Sequence, residues 1–109
     1  MLDFFAPWCP PCQAEMPDIN RFATSHRGQV QVVLMDRGDS TTLIQEFLAK
    51  YAVNPDIRVL TNDPDAWSAP YGVTGQPETF FINAAGKIVA HVLGPLTERQ
   101  MSQYLQTAR

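Results

Sequence analysis

The chain has 109 residues, 45% of them hydrophobic and 17% charged, with a formal net charge of −3. That composition supports one folded domain over residues 1–109 and excludes a disordered chain. The acidic balance and the lack of a basic stripe argue against nucleic acid as a partner, no apolar run reaches membrane-span length, and no signal peptide is visible.

In chain order, "MLDFF" (Met1–Phe5) reads as a short buried strand that runs into the cysteines. It starts with no cap, turn or lead-in, so we expect upstream sequence before it: an anchor, a linker and the first part of a strand. From Pro10 to about His26 the spacing of Met16, Ile19, Phe22 and Ala23 suits a helix. Pro10 and Pro11 are tolerated in its first turn, and Pro17 inside it predicts a kink. Gly28 ends the helix, and Val30–Met35 is the next strand. "DRGDS" leads into a second helix, capped by Asp39 or Ser40, with Leu43, Ile44, Phe47, Leu48 and Tyr51 along its inner face. Ile57–Leu60 is a short strand, and the turn-rich stretch after it allows one helical turn around Ala66–Tyr71. "TFFIN" and "KIVAHVL" form an antiparallel hairpin with Gly86 at positive φ. The last helix starts with a capping box, Thr97 and Gln100, and a staple, Leu96 and Met101; Met101, Tyr104 and Leu105 face inward. The order predicts an α/β fold, a mixed central sheet flanked by helices on both faces.

The two cysteines of the chain, Cys9 and Cys12, stand in "WCPPC". A zinc site needs four ligands, and the only histidines, His26 and His91, lie far apart and carry no role in this reading. Haem attachment needs a histidine where Gln13 stands. A bridge closing so short a loop stabilises by roughly 2 kcal/mol, so redox exchange is the better use of the pair. Cys9 ends a strand and opens a helix, where the dipole favours its thiolate, and Cys12, one turn in, is the more shielded, resolving thiol. Trp8 can cover the pair. Pro10 and Pro11 remove two N–H groups beside Cys9 and leave that of Cys12 as the nearest ordinary donor. No Lys or Arg lies between Met1 and Asn20, whereas Asp3, Glu15 and Asp18 do. Fewer donors and negative neighbours oppose a second anion on Cys9, which favours a reducing couple.

"DFFAPWCPPC" is similar to the thioredoxin active-site segment. Asp3 matches a buried aspartate of that family, and Pro17 matches a kinked active-site helix. "GVTGQPETFFINAAGKIVAHVLGPLT" resembles more closely the TlpA/ResA/CcmG (DsbE) group, the thioredoxin-like reductases of cytochrome c maturation. Its pattern is Gly-x-Pro-x-Thr-Phe-Φ-Ile-(Asp/Asn)-x-x-Gly, with Φ apolar. Glu15 in "CPPCQAEMP" and the helix–strand insert before "TFFIN" resemble the same group. The resemblance implies a thioredoxin fold truncated at its N-terminal strand, and a cis Pro77 facing the disulfide. Such a bond frees the backbone of Gln76 to pair with an extended substrate. It also implies an extracytoplasmic, membrane-anchored reductase, monomeric, with no cofactor or metal beyond the Cys9–Cys12 disulfide. A membrane dithiol donor would recharge it, and its substrates would be protein disulfides such as that of apocytochrome c.

Three carboxylates stand near this site. Asp3, among Leu2, Phe4 and Phe5, is expected to be buried and partly protonated, a proton acceptor for Cys12. Glu15 can do the same, or be a solvated helix residue. Glu78 matches the variant of the cytochrome c branch, or is a surface charge of the hairpin. Many members of that branch carry asparagine where this chain has Asp3, so either acid is a candidate for the transfer. Trp67 and Tyr71 are expected to pack under the loop of Pro77. The rival readings are a disulfide oxidase or isomerase and a non-catalytic module that binds copper or an apoprotein. A peroxidase is disfavoured, because "DFFAPWC" lacks the Pro-x-x-x-(Thr/Ser)-x-x-Cys stretch.

Overall fold

A computed structural model describes residues 1–61 and 68–108. Its centre is β1 (Leu2–Phe5), paired on both edges and buried at every position, with core packed on both of its faces. On one side lies β2 (Val33–Asp36), parallel to it, and beyond that β3 (Arg58–Leu60), also parallel. On the other side lies β4 (Glu78–Ile82), antiparallel, followed by its hairpin partner β5 (Ile88–Leu93). The sheet order is β3-β2-β1-β4-β5. Gly86 turns the hairpin at φ +83, a conformation that favours a residue without Cβ.

The expected strand Val30–Met35 is displaced: pairing runs from Val33 to Asp36. Its register explains the shift. Val33 is the partner of Leu2, the first residue of β1, so nothing in the sheet is left for Val30 to pair with.

Helix α1 (Pro10–Ser25) has prolines at its first two positions, where a helix needs no N–H donor. It buries Cys12, Glu15, Met16, Ile19, Phe22 and Ala23, a stripe at helical spacing, while Pro17 lies on its exposed side. Helix α2 (Thr41–Lys50) is capped by Ser40, whose Oγ accepts the Leu43 N–H at 3.2 Å. Ile44 and Phe47 are buried and Leu48 and Tyr51 pack against the core, but Leu43, expected inside, is 46% exposed. At about 100° per residue, Leu43 stands roughly 90° from the centre of the stripe the other four define. Of the expected turn Ala66–Tyr71, α3 (Ser68–Tyr71) is present; Ala66 and Trp67 lie outside the described residues. Helix α4 (Glu98–Thr107) has the expected capping box: Thr97 N–H donates to Gln100 Oε1 (2.9 Å) and Gln100 N–H to Thr97 Oγ1 (3.2 Å).

Two layers of core result. Helices α1, α2 and α4 press Met16, Phe22, Phe47 and Met101 against Phe5, Leu34 and Phe81 on one face of the sheet. Leu2, Phe4, Met35 and Phe80 lie on the other, with Tyr71 of α3 against the rings of Phe4 and Phe80. Helices occupy both faces, as expected, but among the described residues the second face holds one four-residue helix. Pairing of Phe5 with Asp36 and of Phe4 with Glu78 puts the ends of β1 and β2 and the start of β4 at one edge. The site forms there.

Candidate active site

At that edge β1 hands over to α1 through Cys9, which is the N-cap residue, in extended conformation at φ −83, ψ 113. An N-cap side chain ordinarily accepts from an N–H two or three residues on. Here Pro10 and Pro11 have none, so the first amide available is that of Cys12, and it donates to Cys9 Sγ at 3.3 Å. The next, Gln13 N–H, is already used by the Cys9 carbonyl (3.0 Å). The Gln13 side chain braces the turn from outside, donating to the Pro7 carbonyl at 2.8 Å. The expected donor is thus the one found.

Across from Cys9 the Gln76–Pro77 peptide is cis, as the resemblance implied. The Cys9 thiol donates to the Gln76 carbonyl, with sulfur and oxygen 3.6 Å apart. Both cysteines are unbridged, and Cys9 and Cys12 are 3% and 2% exposed, so shielding does not distinguish them. Their surroundings do. Burial, a hydrogen bond with the Cys9 sulfur and the charge of Asp3 push the Cys12 thiol strongly upward. Trp8 is 60% exposed, its indole N–H fixed on Asp39 Oδ1 at 3.1 Å.

Asp3 and Glu15 are both buried. Glu15 is no solvated helix residue: its Oε2 accepts the Leu96 N–H at 2.7 Å, tying α1 to the start of α4. Its Oε1 is buried and has no hydrogen-bond partner among the described residues. Burial raises Asp3 well above the usual carboxylate range, and the Glu15 charge raises it further; Thr79 Oγ1, donating to Asp3 Oδ1 at 3.3 Å, acts the other way. Burial raises Glu15 too, opposed by hydrogen bonds from Asp3 and Leu96. Two neighbouring buried carboxyls oppose each other's ionisation, and Asp3 is the more strongly raised of the two.

Glu78 is 1% exposed and is not a surface charge of the hairpin. Its Oε1 accepts the Thr74 N–H (3.0 Å) and hydroxyl (3.4 Å), and its Oε2 pairs with His91 Nε2 at 2.7 Å. His91 stacks on Phe80 at 4.3 Å between ring centroids. Glu78 therefore ties the loop that carries Gln76 and Pro77 to both strands of the hairpin, and His91, read from the sequence as a residue without a role, completes that tie. Tyr71 packs on Phe4 and Phe80 as described; Trp67 lies outside the described residues.

Three residues at this edge were not foreseen. Asp36 ends β2 and its Oδ2 accepts the N–H groups of Gly38 (2.9 Å) and Asp39 (2.7 Å). Burial, with the Asp39 carboxyl beside it, raises Asp36 to about 6. Arg37 Nη1 donates to Gln76 Oε1 at 3.3 Å. The usable signal was positional: residues just past the carboxyl end of a parallel strand next to the cysteine strand fall at the same sheet edge. His91 could have been found from the hairpin register, which sets it opposite Phe80, two residues past Glu78.

A redox-type cysteine pair capping a helix, opposite a cis-proline at the edge of a mixed five-stranded sheet, defines a thioredoxin-fold thiol–disulfide site. The chain belongs to the Redoxin family, whose model matches residues 1–107. It is 34% identical over 105 residues to the thiol-disulfide oxidoreductase ResA of Bacillus subtilis, covering 95% of this chain and 58% of that one. The chain thus spans less than two thirds of this relative's length. Its fold matches that of dsbF from Mycobacterium tuberculosis with a TM-score of 0.89 at 31% identity, over 99% of this chain and 78% of that one. It also matches a secreted Mycobacterium tuberculosis disulfide oxidoreductase homologous to E. coli DsbE. There the TM-score is 0.84 and the identity 27%, over 96% of this chain and 78% of the other.

Proposed function

We propose that the chain is a thiol–disulfide oxidoreductase that reduces protein disulfides outside the cytoplasm. The observation that carries this is the seat of Cys9, whose sulfur lies between the Cys12 N–H and the carbonyl of Gln76. A substrate segment lying along Gln76 would bring its own sulfur to that point. The names of the Bacillus subtilis relative and of the secreted mycobacterial structure support the activity and the compartment.

In the reaction, the Cys9 thiolate attacks one sulfur of the substrate disulfide. A Cys9–substrate disulfide forms and the other substrate sulfur leaves as a thiolate. Cys12 then loses its proton and attacks the Cys9 sulfur, which expels the second substrate thiolate and closes Cys9–Cys12. Two electrons pass from the dithiol to the substrate. Asp3 and Glu15, both raised by burial, are the groups we assign to take up the proton that leaves Cys12. An external dithiol reverses these steps and recharges the chain. A membrane dithiol donor and an apocytochrome c substrate fit this scheme, as does attachment to the outer face of a membrane. Among the described residues no helix is long and apolar enough to cross one.

Cys12→Ser tests the scheme. The variant keeps the attacking thiol and cannot resolve, so it should accumulate mixed disulfides through Cys9, separable by mass on non-reducing gels. If none forms with a disulfide-bonded protein in excess, Cys9 is not the attacking thiol and the mechanism is wrong.

A further inference from the structure

Arg37 is a cation that the fold delivers to a site otherwise furnished with acids. It follows directly on β2, whose last residue, Asp36, is paired with Phe5 of the strand that leads to Cys9. The Asp36 carboxylate, by accepting the N–H groups of Gly38 and Asp39, fixes the turn on which Arg37 stands. Gly38 takes φ +121 there, a conformation that residues with a Cβ rarely adopt, so the turn is built for this course. The side chain reaches across the edge to Gln76, the residue whose carbonyl faces Cys9.

Among the described residues Arg37 makes a single hydrogen bond. Nη1 has a neutral acceptor, Gln76 Oε1. Nε is buried and has no acceptor among the described residues. No carboxylate of the described residues lies within ion-pair distance of the guanidinium, whereas Arg27 and His91 each have one and Arg21 has two. Of the described acids nearby, Asp36 Oδ2 holds the turn, Asp39 holds Trp8 and Glu78 holds Thr74 and His91, while Asp36 Oδ1 is itself buried without a partner. A half-buried guanidinium with an unpaired donor is costly to hold, and the acceptor that best matches its planar fork is a carboxylate.

We propose that Arg37 is a specificity-determining residue, which binds an acidic side chain next to the reacting cysteine of the substrate. This rests on the function proposed above and names the substrate class for it: disulfides flanked by Asp or Glu. Arg37 and Cys9 both touch Gln76, so a substrate whose sulfur meets Cys9 places its neighbouring side chain by the guanidinium. The same cation would then repel a substrate with Lys or Arg in that place.

The test uses the reduced full chain with Cys12→Ser and three peptides, each activated as a neutral 2-thiopyridyl disulfide. They carry Glu, Gln or Lys on both sides of the cysteine and are otherwise identical. The readout is the rate at which the peptide adduct forms on Cys9, followed by mass spectrometry. With Arg37 present we expect the Glu peptide to react about tenfold faster than the Lys peptide, the Gln peptide falling between, and the order to flatten in high salt. Arg37→Gln should abolish the preference, Arg37→Glu should reverse it, and Arg37→Lys should retain part of it. An unchanged ratio in Arg37→Glu would overturn the proposal. So would equal slowing of all three peptides, which would make Arg37 only a brace for Gln76. Failure of every peptide to react with any variant would instead sink the oxidoreductase reading itself.

Discussion

Asp3 and Glu15 lie buried together behind the cysteines, and each makes ionisation of the other harder. Glu15 has a backbone donor, Leu96 N–H, to support its charge, whereas Asp3 has one hydroxyl, that of Thr79, at 3.3 Å. That asymmetry accounts for the stronger rise of Asp3. A carboxyl raised in the folded state stabilises that state fully below its ordinary value of 3.8, and the contribution is lost as pH rises through the folded value. Asp3→Asn removes this titration. The variant should therefore match wild type in urea unfolding near pH 4 and outlast it increasingly toward alkaline pH. On the proposed mechanism the same change also removes a proton acceptor, so resolution of a Cys9 mixed disulfide at neutral pH should slow roughly a hundredfold. A wild-type rate in quenched-flow measurements would show that Asp3 takes no part in deprotonating Cys12.

At the scale of elements, helix starts do most of the positioning. Cys9 caps α1 with its sulfur because the two prolines leave it the Cys12 amide, so the motif is a cap and a redox pair at once. Thr97 caps α4 one residue after Leu96, whose N–H holds Glu15. Thr97→Ala loses one side of the capping box and should cost about 1 kcal/mol, a fall of roughly 4 °C in melting temperature. Thr97→Ser should restore it; a variant that melts with wild type would mean the box contributes nothing in this context. These starts were legible because cap signals are local, lying within four residues of the helix they begin. Leu43 was misjudged because it falls at the margin of a stripe, where neighbouring elements decide whether a side chain is covered. The boundary of β2 was misjudged because a strand extends only as far as its partner does.

For the molecule as a whole, redox state and stability are linked: the form that folds more stably is the one the fold favours. In the dithiol form Cys12 is buried, with its proton strongly held, near the raised carboxyl of Asp3. Closing the bridge removes that thiol from the buried site and restricts the unfolded chain. The reductase proposed above should be more stable oxidised than reduced, by about 2 kcal/mol if chain entropy alone counts. Urea midpoints with and without a dithiol reagent read this directly. A higher midpoint for the reduced form would make the chain an oxidant.

By itself the sequence determined most of the elements, the mixed sheet and the prolines' effect on the donors around Cys9, and it pointed to the Cys-Pro-Pro-Cys pair as a redox centre. All of these depend on periodicity, caps and residues close along the chain. Only the tertiary structure decided what surrounds that centre. Glu15 is buried because α4 begins on top of it, and Glu78 because the loop before Pro77 and His91 of β5 close over it. The sequence around the cysteines is free of cations, yet the site has one, because parallel pairing of β1 and β2 sets Arg37 at the same edge. Charge at a site sums over space, and residues separated by a helix and a strand become neighbours only when the sheet forms.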